Sequence, residues 1–326
     1  MKIGNTDITN VKIGTTAVSK VFIGADQVYP NTDSEFIFTI DTSLGDGLSE
    51  FEFNPIHLAG SIDYVIDWGD SYTQNITSNT STTHNYNIGG IYTITISVNS
   101  GIKNWAFYNS VDKQKLISIN NWGTHPVSLK LTFSGLLNFQ LSALDLPNVL
   151  YGNNSSTFRD CTNFNSSLEN FPFVGRCDLV LYNCVNFNSN LNVDASSCYS
   201  MILAFFNIDS FNNPINFDSS LVQDMASLFY ACNNFNQSIG FLDLSSIPNG
   251  NNFQQFLVFT PYDNFNYQND LVELIGWNGL IPTKTIPTNV IIRFGTAKYE
   301  IGGQSEDARN YLINTLGWTI TDGGGI

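Results

Sequence analysis

The sequence predicts a mainly β protein that is built largely from repeated units. Three observations support this class. The pair Ile-Gly recurs every ten residues at the start of the chain, runs of β-branched and aromatic residues alternate with polar turns after it, and a repeat of about 24 residues fills much of the second half. A small α/β segment is predicted to close the chain.

The composition favours an extracellular β or repeat protein over a cytosolic metabolic enzyme. Of the 326 residues only 13% are charged, and 13% are aromatic. Globular proteins average about a quarter charged residues. Asn, Ser and Thr take the place of the missing charges, so we expect a polar but weakly charged surface.

The excess of acidic residues argues against two kinds of partner. The chain has 28 Asp and Glu against 13 Lys and Arg, for a net charge of −15. Binding to nucleic acid or to anionic lipid requires a basic surface. No segment is long and apolar enough to span a bilayer, so we also expect no membrane insertion. The opening MKIGNTDITN lacks an apolar stretch, and we therefore expect no signal peptide.

Residues 1–31 are predicted to form a β-repeat anchor. Ile3-Gly4, Ile13-Gly14 and Ile23-Gly24 mark three copies of a ten-residue unit. Short strands broken by glycine-containing turns fit this pattern, and each strand buries too little surface to be stable alone. The segment therefore needs either other chains or the neighbouring domain, on which it would form a small β-meander.

Residues 34–102 are predicted to form a β-sandwich. The runs EFIFTID, SIDYVIDWGD and IYTITISVN are typical of strands. The stretches DWGD (67–70), THNY (83–86) and GIYTITI (90–96) resemble the signatures of PKD domains, which are immunoglobulin-like sandwiches common in extracellular and virion proteins. The chain departs from the family at Ser71, where Gly is usual. The resemblance implies a structural rather than a catalytic role for Asp67 and Asp70.

Residues 103–282 contain the longer repeat, which predicts stacked coils around one apolar core. Four columns recur. They are an inward column (Phe158, Leu181, Phe205, Phe229), a Cys or Ile column (Cys161, Cys184, Ile208, Cys232), a Phe-Asn column (Phe164, Phe187, Phe211, Phe235 and, more distantly, Phe265), and an Asp column followed by an apolar residue (Asp145, Asp194, Asp218, Asp243). Weaker copies surround Phe133, Leu136, Phe139 and Trp122. The Asn residues beside the Phe column are expected to form hydrogen-bonded ladders between coils.

The repeat resembles a known family of surface proteins. The stretches DSSLVQDM (218–225) and FYACNNFNQSI (229–239) are similar to BspA-type leucine-rich repeats and to the related 25-residue repeats of bacterial surface and phage proteins. This resemblance implies a curved, mostly β solenoid that serves adhesion without catalysis.

Residues 283–326 are predicted to form a small α/β cap, which a solenoid needs to cover its last coil. NVIIRF is predicted to be a strand. A helix is expected to begin with Ser305 as its N-cap, with Glu306 and Asp307 in its first turn, and to end at Leu316-Gly317. A last strand follows from Trp318 to Thr321. The ending resembles the segment that follows these repeats in phage-encoded proteins.

The sequence offers no recognisable catalytic, cofactor or metal site. The three histidines, His57, His84 and His125, are scattered, and no nucleotide-binding, zinc-protease or serine-hydrolase motif occurs. The cysteines are odd in number and lack a CxxC pair. They are Cys161, Cys177, Cys184, Cys198 and Cys232. Their spacing favours small buried side chains, with disulfides or a zinc site as the alternatives.

One stripe of residues is a candidate binding surface. The residue after each inward position should point outward if that segment is a strand. These residues are Arg159, Tyr182, Phe206 and Tyr230, one per coil. Aromatic stripes bind the apolar faces of sugars or act as protein hot spots, but they also stack coil on coil for stability alone.

Three functions are compatible with the sequence. The first is a non-enzymatic virion protein of a tailed phage (a tail fibre, tail-tip or capsid-surface decoration protein), assembled in the host cytoplasm and exposed on the particle. Its residues 1–31 would contact other virion proteins, and its solenoid would bind a host-surface glycan or protein receptor. A fibre would also be a homotrimer. The second is a bacterial cell-surface adhesin, against which the absent signal peptide argues, and the third is a glycan-active enzyme with a carboxylate pair across a groove.

Overall fold

A computed structural model describes residues 34–150, 152–248 and 252–326 in full, together with the backbone of short strands between residues 2 and 29 and of residues 250 and 251. The predicted mainly β class is confirmed, with 25% of residues in strands and 10% in helices. No closed barrel is formed by the described strands.

The described backbone near the N-terminus forms short antiparallel hairpins, one in each ten-residue unit. Their strands are β1 (Lys2–Ile3), β2 (Thr6–Asp7), β3 (Lys12–Ile13), β4 (Thr16–Ala17), β5 (Val21–Ile23) and β6 (Asp26–Tyr29). The period of ten therefore corresponds to two strands, not one. The side chains of the predicted anchor lie outside the described residues.

The next part of the chain contributes two facing layers of strands. The strands are β7 (Phe36–Asp41), β8 (Glu50–Phe53), β9 (Ile56–His57), β10 (Asp63–Asp67), β11 (Thr73–Ile76), β12 (Thr82–Asn85), β13 (Ile91–Ser100), β14 (Ile102–Asn104), β15 (Leu116–Asn121) and β16 (Gln140–Leu141). One layer is a six-stranded sheet in the order β11-β10-β13-β7-β15-β16, and the other consists of the pairs β12-β8 and β14-β9. The predicted strands EFIFTID, SIDYVIDWGD and IYTITISVN correspond to β7, β10 and β13.

Alternating side chains explain why these two layers pack together. Phe36, Phe38 and Ile40 of β7 are fully buried, and the ring of Phe38 lies 6.0 Å from those of both Phe51 and Phe53 in the opposite layer. A period of two places such residues on one face of a strand. Burying aromatic rings of this size supplies much of the stability of a two-layer core.

The large sheet continues from this unit into the repeat region. β15 pairs with β7 in antiparallel register, for example Ile119 with Phe38, and with β16 in parallel register. Beside this junction the Lys115 side chain is fully buried, and its Nζ lies 2.6 Å from Asp112 Oδ1 and 2.7 Å from Asp46 Oδ1. Burial would lower the pKa of Lys115, but the hydrogen bonds that its ammonium donates to Asp112 and Asp46 outweigh this effect, so the pKa is raised and the ammonium keeps its charge.

The predicted columns of the repeat form one continuous buried core. All members of the inward and Cys columns are fully buried, and so are the upstream copies Phe133, Leu136 and Phe139. Adjacent coils are joined by backbone hydrogen bonds at equivalent positions. These are Phe158 N to Val180 O (2.9 Å), Leu181 N to Ala204 O (2.8 Å), Phe205 N to Leu228 O (3.1 Å) and Phe229 N to Phe256 O (3.1 Å).

The stripe is predicted to point outward only if this segment is a strand, but the backbone at the inward column is a series of turns. Two residues four positions apart adopt left-handed backbone angles in each coil. The pairs are Leu131 and Gly135, Ser156 and Asp160, Leu179 and Asn183, Leu203 and Asn207, Ser227 and Ala231, and Gln255 and Phe259. Each pair lets the chain bend tightly around the inward side chain. Among the described residues of the repeat region that follow β16, the regular strands are β17 (Pro172–Arg176) and β18 (Asp194–Ser200), which are parallel.

The C-terminal part packs two helices against the last coils. The elements are α1 (Asn264–Glu273), β19 (Ile291–Arg293), α2 (Gln304–Asn314) and β20 (Thr319–Thr321), and β19 pairs with β20 in parallel register. The predicted strands and the acidic first turn of α2 are confirmed. The predicted N-cap was wrong, because Gly303 occupies that position and Ser305 is buried inside the first turn.

Helix α1 was not expected, and it overturns one repeat assignment. Phe265 was placed in the Phe column, but it lies in the first turn of α1 and is 74% exposed. Asp263 caps the helix by accepting a hydrogen bond from Asn266 N at 2.8 Å. Asn266 itself keeps its repeat role, since its Nδ2 donates to Asn236 O at 2.9 Å.

Candidate binding surface

The predicted stripe forms a stacked ridge along one side of the repeat. The Arg159 guanidinium lies 5.2 Å from the centre of the Tyr182 ring. The rings of Tyr182 and Phe206 are 4.6 Å apart and inclined by 6°, and those of Phe206 and Tyr230 are 5.2 Å apart and inclined by 15°. The structure therefore brings all four predicted residues together, each half-buried. We call these four side chains and Phe259 the aromatic ridge.

The stacking limits what the ridge offers a ligand. Each face of Phe206 is covered by a neighbouring tyrosine, and Tyr182 is covered by Arg159 on its other side. Sugars bind aromatic side chains chiefly through the ring faces. The central residues of the ridge therefore offer a ligand mainly the edges of their rings. Their main role in this geometry is to hold adjacent coils together.

Phe259 extends the ridge, and sequence reasoning missed it. Its ring meets Tyr230 edge-on, with centroids 5.4 Å apart and an inclination of 85°, and 69% of the residue is exposed. The sequence criterion, which selects the residue after each inward position, points to Val258 in this coil, and Val258 is only 7% exposed. Phe259 occupies the second left-handed position of its coil, at φ 62°, where a bulky side chain is rare. A strained, exposed aromatic residue next to the stripe was a signal that only the backbone could give.

A ladder of polar side chains runs beside the ridge. Asn183 Nδ2 donates to Asp160 Oδ1 at 3.0 Å, and Asn207 Nδ2 donates to Asn183 Oδ1 at 2.7 Å. Asp160 also forms a 3.1 Å ion pair with Arg159. The ladder holds adjacent coils in register and therefore fixes the spacing of the aromatic rings.

A second ladder on another edge confirms the predicted role of the Asn column. In each step a backbone N–H donates to the Asn Oδ1 of the preceding coil. The steps are Asn188 to Asn165 (2.7 Å), Asn212 to Asn188 (3.0 Å), Asn236 to Asn212 (2.8 Å) and Asp263 to Asn236 (3.0 Å). The predicted Asp column is also structural, since Asp194, Asp218 and Asp243 each accept a hydrogen bond from the N–H two residues later.

The five cysteines are free and buried, as their spacing in the sequence predicts. Cys161, Cys184 and Cys232 each donate a thiol hydrogen bond to a backbone carbonyl of the preceding coil, at 2.9–3.0 Å. Burial raises the pKa of Cys161 and Cys232 to about 12 and raises that of Cys184 well above its usual range. Within the described part of the chain no group of three or more His, Cys, Asp or Glu side chains is arranged to hold a metal.

The turn that carries the PKD resemblance is held by its own carboxylates. Asp67 Oδ1 accepts from Gly69 N at 2.9 Å, and Asp70 Oδ1 accepts from Tyr72 N at 3.1 Å. Asp70 Oδ2 lies 2.8 Å from His84 Nε2. Burial would raise the pKa of Asp70, but the hydrogen bonds from His84 and Tyr72 outweigh it and lower the pKa. Both carboxylates thus have structural partners within the turn.

A groove of about 340 Å³ between α1 and α2 carries two carboxylates, Glu273 and Glu300. Its other described lining residues are Gln268, Asn269, Val272, Gln304 and Ser305. The glycan-enzyme hypothesis requires a carboxylate pair at a groove, and Glu273 and Glu300 are the carboxylates among the described lining of this one.

The described helices were also considered as membrane spans. None of them is long and apolar enough to cross a membrane.

The comparisons with known proteins identify the family of the repeat region. A family described as "Mycoplasma protein of unknown function, DUF285" matches residues 105–192 and 153–268. Together the two matches cover half of the 326-residue chain, so the chain belongs to this family. The match supports the resemblance to surface-protein repeats and leaves residues 34–102 outside it. No curated protein and no solved structure matches the chain.

Proposed function

We propose that the protein is a non-enzymatic adhesive protein that presents its repeat region to a host-surface glycan or protein receptor. The observation that carries this proposal is the aromatic ridge, because it places stacked side chains and the exposed ring of Phe259 along one side of a rigid support. Exposed aromatic residues on a fixed backbone bind with little loss of conformational entropy.

The proposal includes two architectural assignments. Residues 34–102 form an immunoglobulin-like sandwich, which the two facing layers and their aromatic core support. Residues 103–282 form a leucine-rich-repeat-type solenoid, supported by the equivalent hydrogen bonds between successive coils. The α/β segment 283–326 then covers the last coil. A solenoid presents repeated side chains at a fixed spacing, which suits binding to an extended surface.

We further propose that the protein is exposed on a tailed-phage virion, as a fibre, tail-tip or capsid-surface protein. The N-terminal hairpins support an attachment role, since each is too short to be stable without a partner. Other virion proteins would complete these hairpins, and a fibre would assemble as a homotrimer. The alternative location is the surface of a bacterial cell, which the family description favours because it names a bacterium.

A glycan-active enzyme is the second candidate function, and the groove containing Glu273 and Glu300 is the observation that favours it. Glycoside hydrolysis uses two carboxylates on opposite sides of the scissile bond. Release of reducing sugar from host polysaccharide by the purified protein, abolished in Glu273→Gln and Glu300→Gln, would support the enzyme and overturn the non-enzymatic proposal.

The decisive experiment for adhesion compares binding of labelled protein to host cells before and after changes in the ridge. We expect Phe259→Ala and Tyr230→Ala to reduce binding while the circular dichroism spectrum stays unchanged. Phe265→Ala is the matched control, because Phe265 is equally exposed but lies in α1. Equal binding by all three variants would exclude the ridge as the contact surface.

The location is tested separately by deleting residues 1–31. A soluble, folded protein that no longer joins virions would support the anchor. Loss of folding would favour a β-meander packed on the neighbouring domain. Detection of the intact protein on uninfected bacterial cells would favour the cell-surface alternative.

A further inference from the structure

The polar ladder beside the aromatic ridge stops one coil before Phe259. Asp160, Asn183, Asn207, Ala231 and Phe259 occupy the second left-handed backbone position of successive coils, with φ between 54° and 62°. The first three side chains are joined by hydrogen bonds, but the methyl group of Ala231 can neither donate nor accept one. This column therefore changes from amide groups to an aromatic ring across one small residue.

The direction of the ladder leaves an open acceptor at its end. A carboxylate group accepts hydrogen bonds, so Asp160 takes the Nδ2–H of Asn183, and Asn183 Oδ1 then takes the Nδ2–H of Asn207. Since Asn207 donates towards the preceding coil, its Oδ1 faces the coil of Ala231, which supplies no side-chain donor. Asn207 is half-buried. Its amide oxygen is thus held in place and can accept a hydrogen bond from a ligand.

The backbone places Asn207 and Phe259 on either side of Ala231. Asn207 N donates to Tyr230 O at 2.9 Å, and Ala231 N donates to Val258 O at 2.8 Å. The two side chains are therefore carried by the coils immediately before and after Ala231, at equivalent backbone positions. The short side chain of Ala231 leaves a notch between them, which we call the Ala231 notch, with the Asn207 amide on one side and the Phe259 ring on the other.

The ring of Phe259 has a face that the ridge does not cover. Its contact with Tyr230 is edge-on, at 5.4 Å and 85°, and 69% of the residue is exposed. In an edge-on pair at least one face of each ring stays free of the other ring, unlike the parallel stacks along the rest of the ridge. A positive φ is costly for a bulky residue, and backbone strain of this kind is concentrated at ligand-binding sites. The strained backbone therefore holds an aromatic face open at the notch.

The notch selects an uncharged ligand. None of Asn207, Ala231 and Phe259 has an ionisable side chain. The charged residues of the stripe lie at its other end, where Arg159 and Asp160 form an ion pair with each other at 3.1 Å. A ligand of the notch must combine an apolar face with a nearby hydrogen-bond donor, and it needs no charge. A neutral sugar ring has both, because its C–H groups form an apolar face and its hydroxyl groups donate.

We infer that the Ala231 notch binds one neutral pyranose unit of a host glycan. The apolar face of the sugar lies on the Phe259 ring, and one of its hydroxyl groups donates to Asn207 Oδ1. This inference rests on the proposed function, because it names the class of glycan that the adhesive protein would recognise.

The test is ligand-observed saturation-transfer NMR of the full-length protein with methyl β-galactoside, methyl β-glucoside and methyl β-N-acetylglucosaminide. We expect at least one of these sugars to bind, with saturation strongest on the C–H protons of one ring face and an affinity that salt does not change. Ala231→Asn should weaken binding at least about tenfold, because the new amide fills the notch and donates to Asn207 Oδ1.

Two further variants separate binding from folding. Ala226→Asn is the matched control, since it makes the same substitution in the same coil outside both left-handed positions, and it should bind as the unaltered protein does. Asn207→Leu removes the acceptor at nearly constant size and should also weaken binding at least about tenfold. Thermal unfolding of each variant shows whether a loss of binding comes from a loss of structure.

The contrary results separate the notch from the adhesive function. No binding by any of the three sugars, equal binding by Ala231→Asn and Ala226→Asn, or unchanged binding by Asn207→Leu would overturn the inference. Attachment to host cells that survives periodate oxidation of their glycans but not protease treatment would indicate a protein receptor and would also overturn it. Sugar binding by a protein that does not attach to host cells would instead support the notch and refute the adhesive function.

Discussion

The ring of Tyr182 lies parallel to the ring of Phe206 in the next coil, with the centroids 4.6 Å apart and the planes inclined by 6°. Phe206 in turn stacks on Tyr230 at 5.2 Å. Each aromatic residue of the ridge thus bridges two coils. The same side chains that offer a contact surface also hold neighbouring coils together, and these two roles can be separated by experiment.

Replacing Phe206 with alanine should destabilise the protein by about 1–3 kcal/mol, because it removes two aromatic stacks of about 0.5–1.5 kcal/mol each. Urea-induced unfolding followed by circular dichroism measures this loss. Phe265→Ala serves as the control, since Phe265 is 74% exposed and should cost little. Equal stabilities of the two variants would mean that the stacking contributes nothing to coil packing.

Replacing Ala231 with asparagine should stabilise the protein by about 1 kcal/mol. Ala231 follows Asp160, Asn183 and Asn207 at the second left-handed position of the coil, where its φ is 60°. Asparagine tolerates this backbone conformation better than alanine and could continue the ladder by donating to Asn207. Thermal unfolding gives the measurement.

Ala226→Asn is the matched control for the ladder, because residue 226 lies in the same coil outside both left-handed positions. It should bring no gain. If Ala231→Asn is no more stable than Ala226→Asn, the polar ladder does not determine the stability of this edge.

The buried columns could be predicted from the sequence because burial in a repeat depends on side-chain identity at a fixed spacing. The repeat spacing alone predicts that Phe158, Phe205 and Cys232 lie in the core, and all three are fully buried. The same spacing is compatible with strands or with turns, so it could not reveal the left-handed pairs. Whether the stripe lies on strands or on turns was therefore not determined by the spacing.

The parts that sequence reasoning missed depend on contacts between distant segments. Phe265 retains the Phe-Asn pair of the repeat, but the Asp263 cap starts a helix there and turns the ring outward. Phe259 joins the ridge only because its left-handed backbone points it towards Tyr230.

Replacing Ser71 with glycine should stabilise the protein by about 0.5–1 kcal/mol. Ser71 has a φ of 74°, a left-handed backbone conformation that glycine adopts without the steric cost of a side chain. Chemical unfolding should show a higher midpoint for Ser71→Gly.

The neighbouring Gly69 provides a contrast within the same turn. A Cβ atom at position 69 would lie 2.3 Å from Thr93 O, so Gly69→Ala should lower the unfolding midpoint strongly. A Ser71→Gly variant that is less stable than the unaltered protein would contradict the proposed strain at residue 71.

Replacing Asp322 with asparagine should destabilise the protein at pH 7 by roughly 2–4 kcal/mol, because it leaves the Arg309 guanidinium without its counter-charge. Asp322 Oδ2 lies 2.6 Å from Arg309 Nε, and the two side chains are only 5% and 17% exposed. Breaking a fully buried pair costs about 3–5 kcal/mol, and the residual exposure of Arg309 reduces that figure.

The same pair should make stability depend on pH in the acid range. Burial would raise the pKa of Asp322, but the hydrogen bonds from Arg309 and Tyr267 outweigh it, so the pKa lies below the usual 3.8. Stability from this carboxylate is therefore fully present above pH 3.8 and is lost as the pH falls through the folded-state pKa. Unfolding curves between pH 5 and about pH 2 should show a smaller decline in Asp322→Asn than in the unaltered protein. Asp307→Asn, which alters only the first turn of α2, should keep most of the decline. Parallel declines in the unaltered protein and Asp322→Asn would assign the acid sensitivity to other carboxylates.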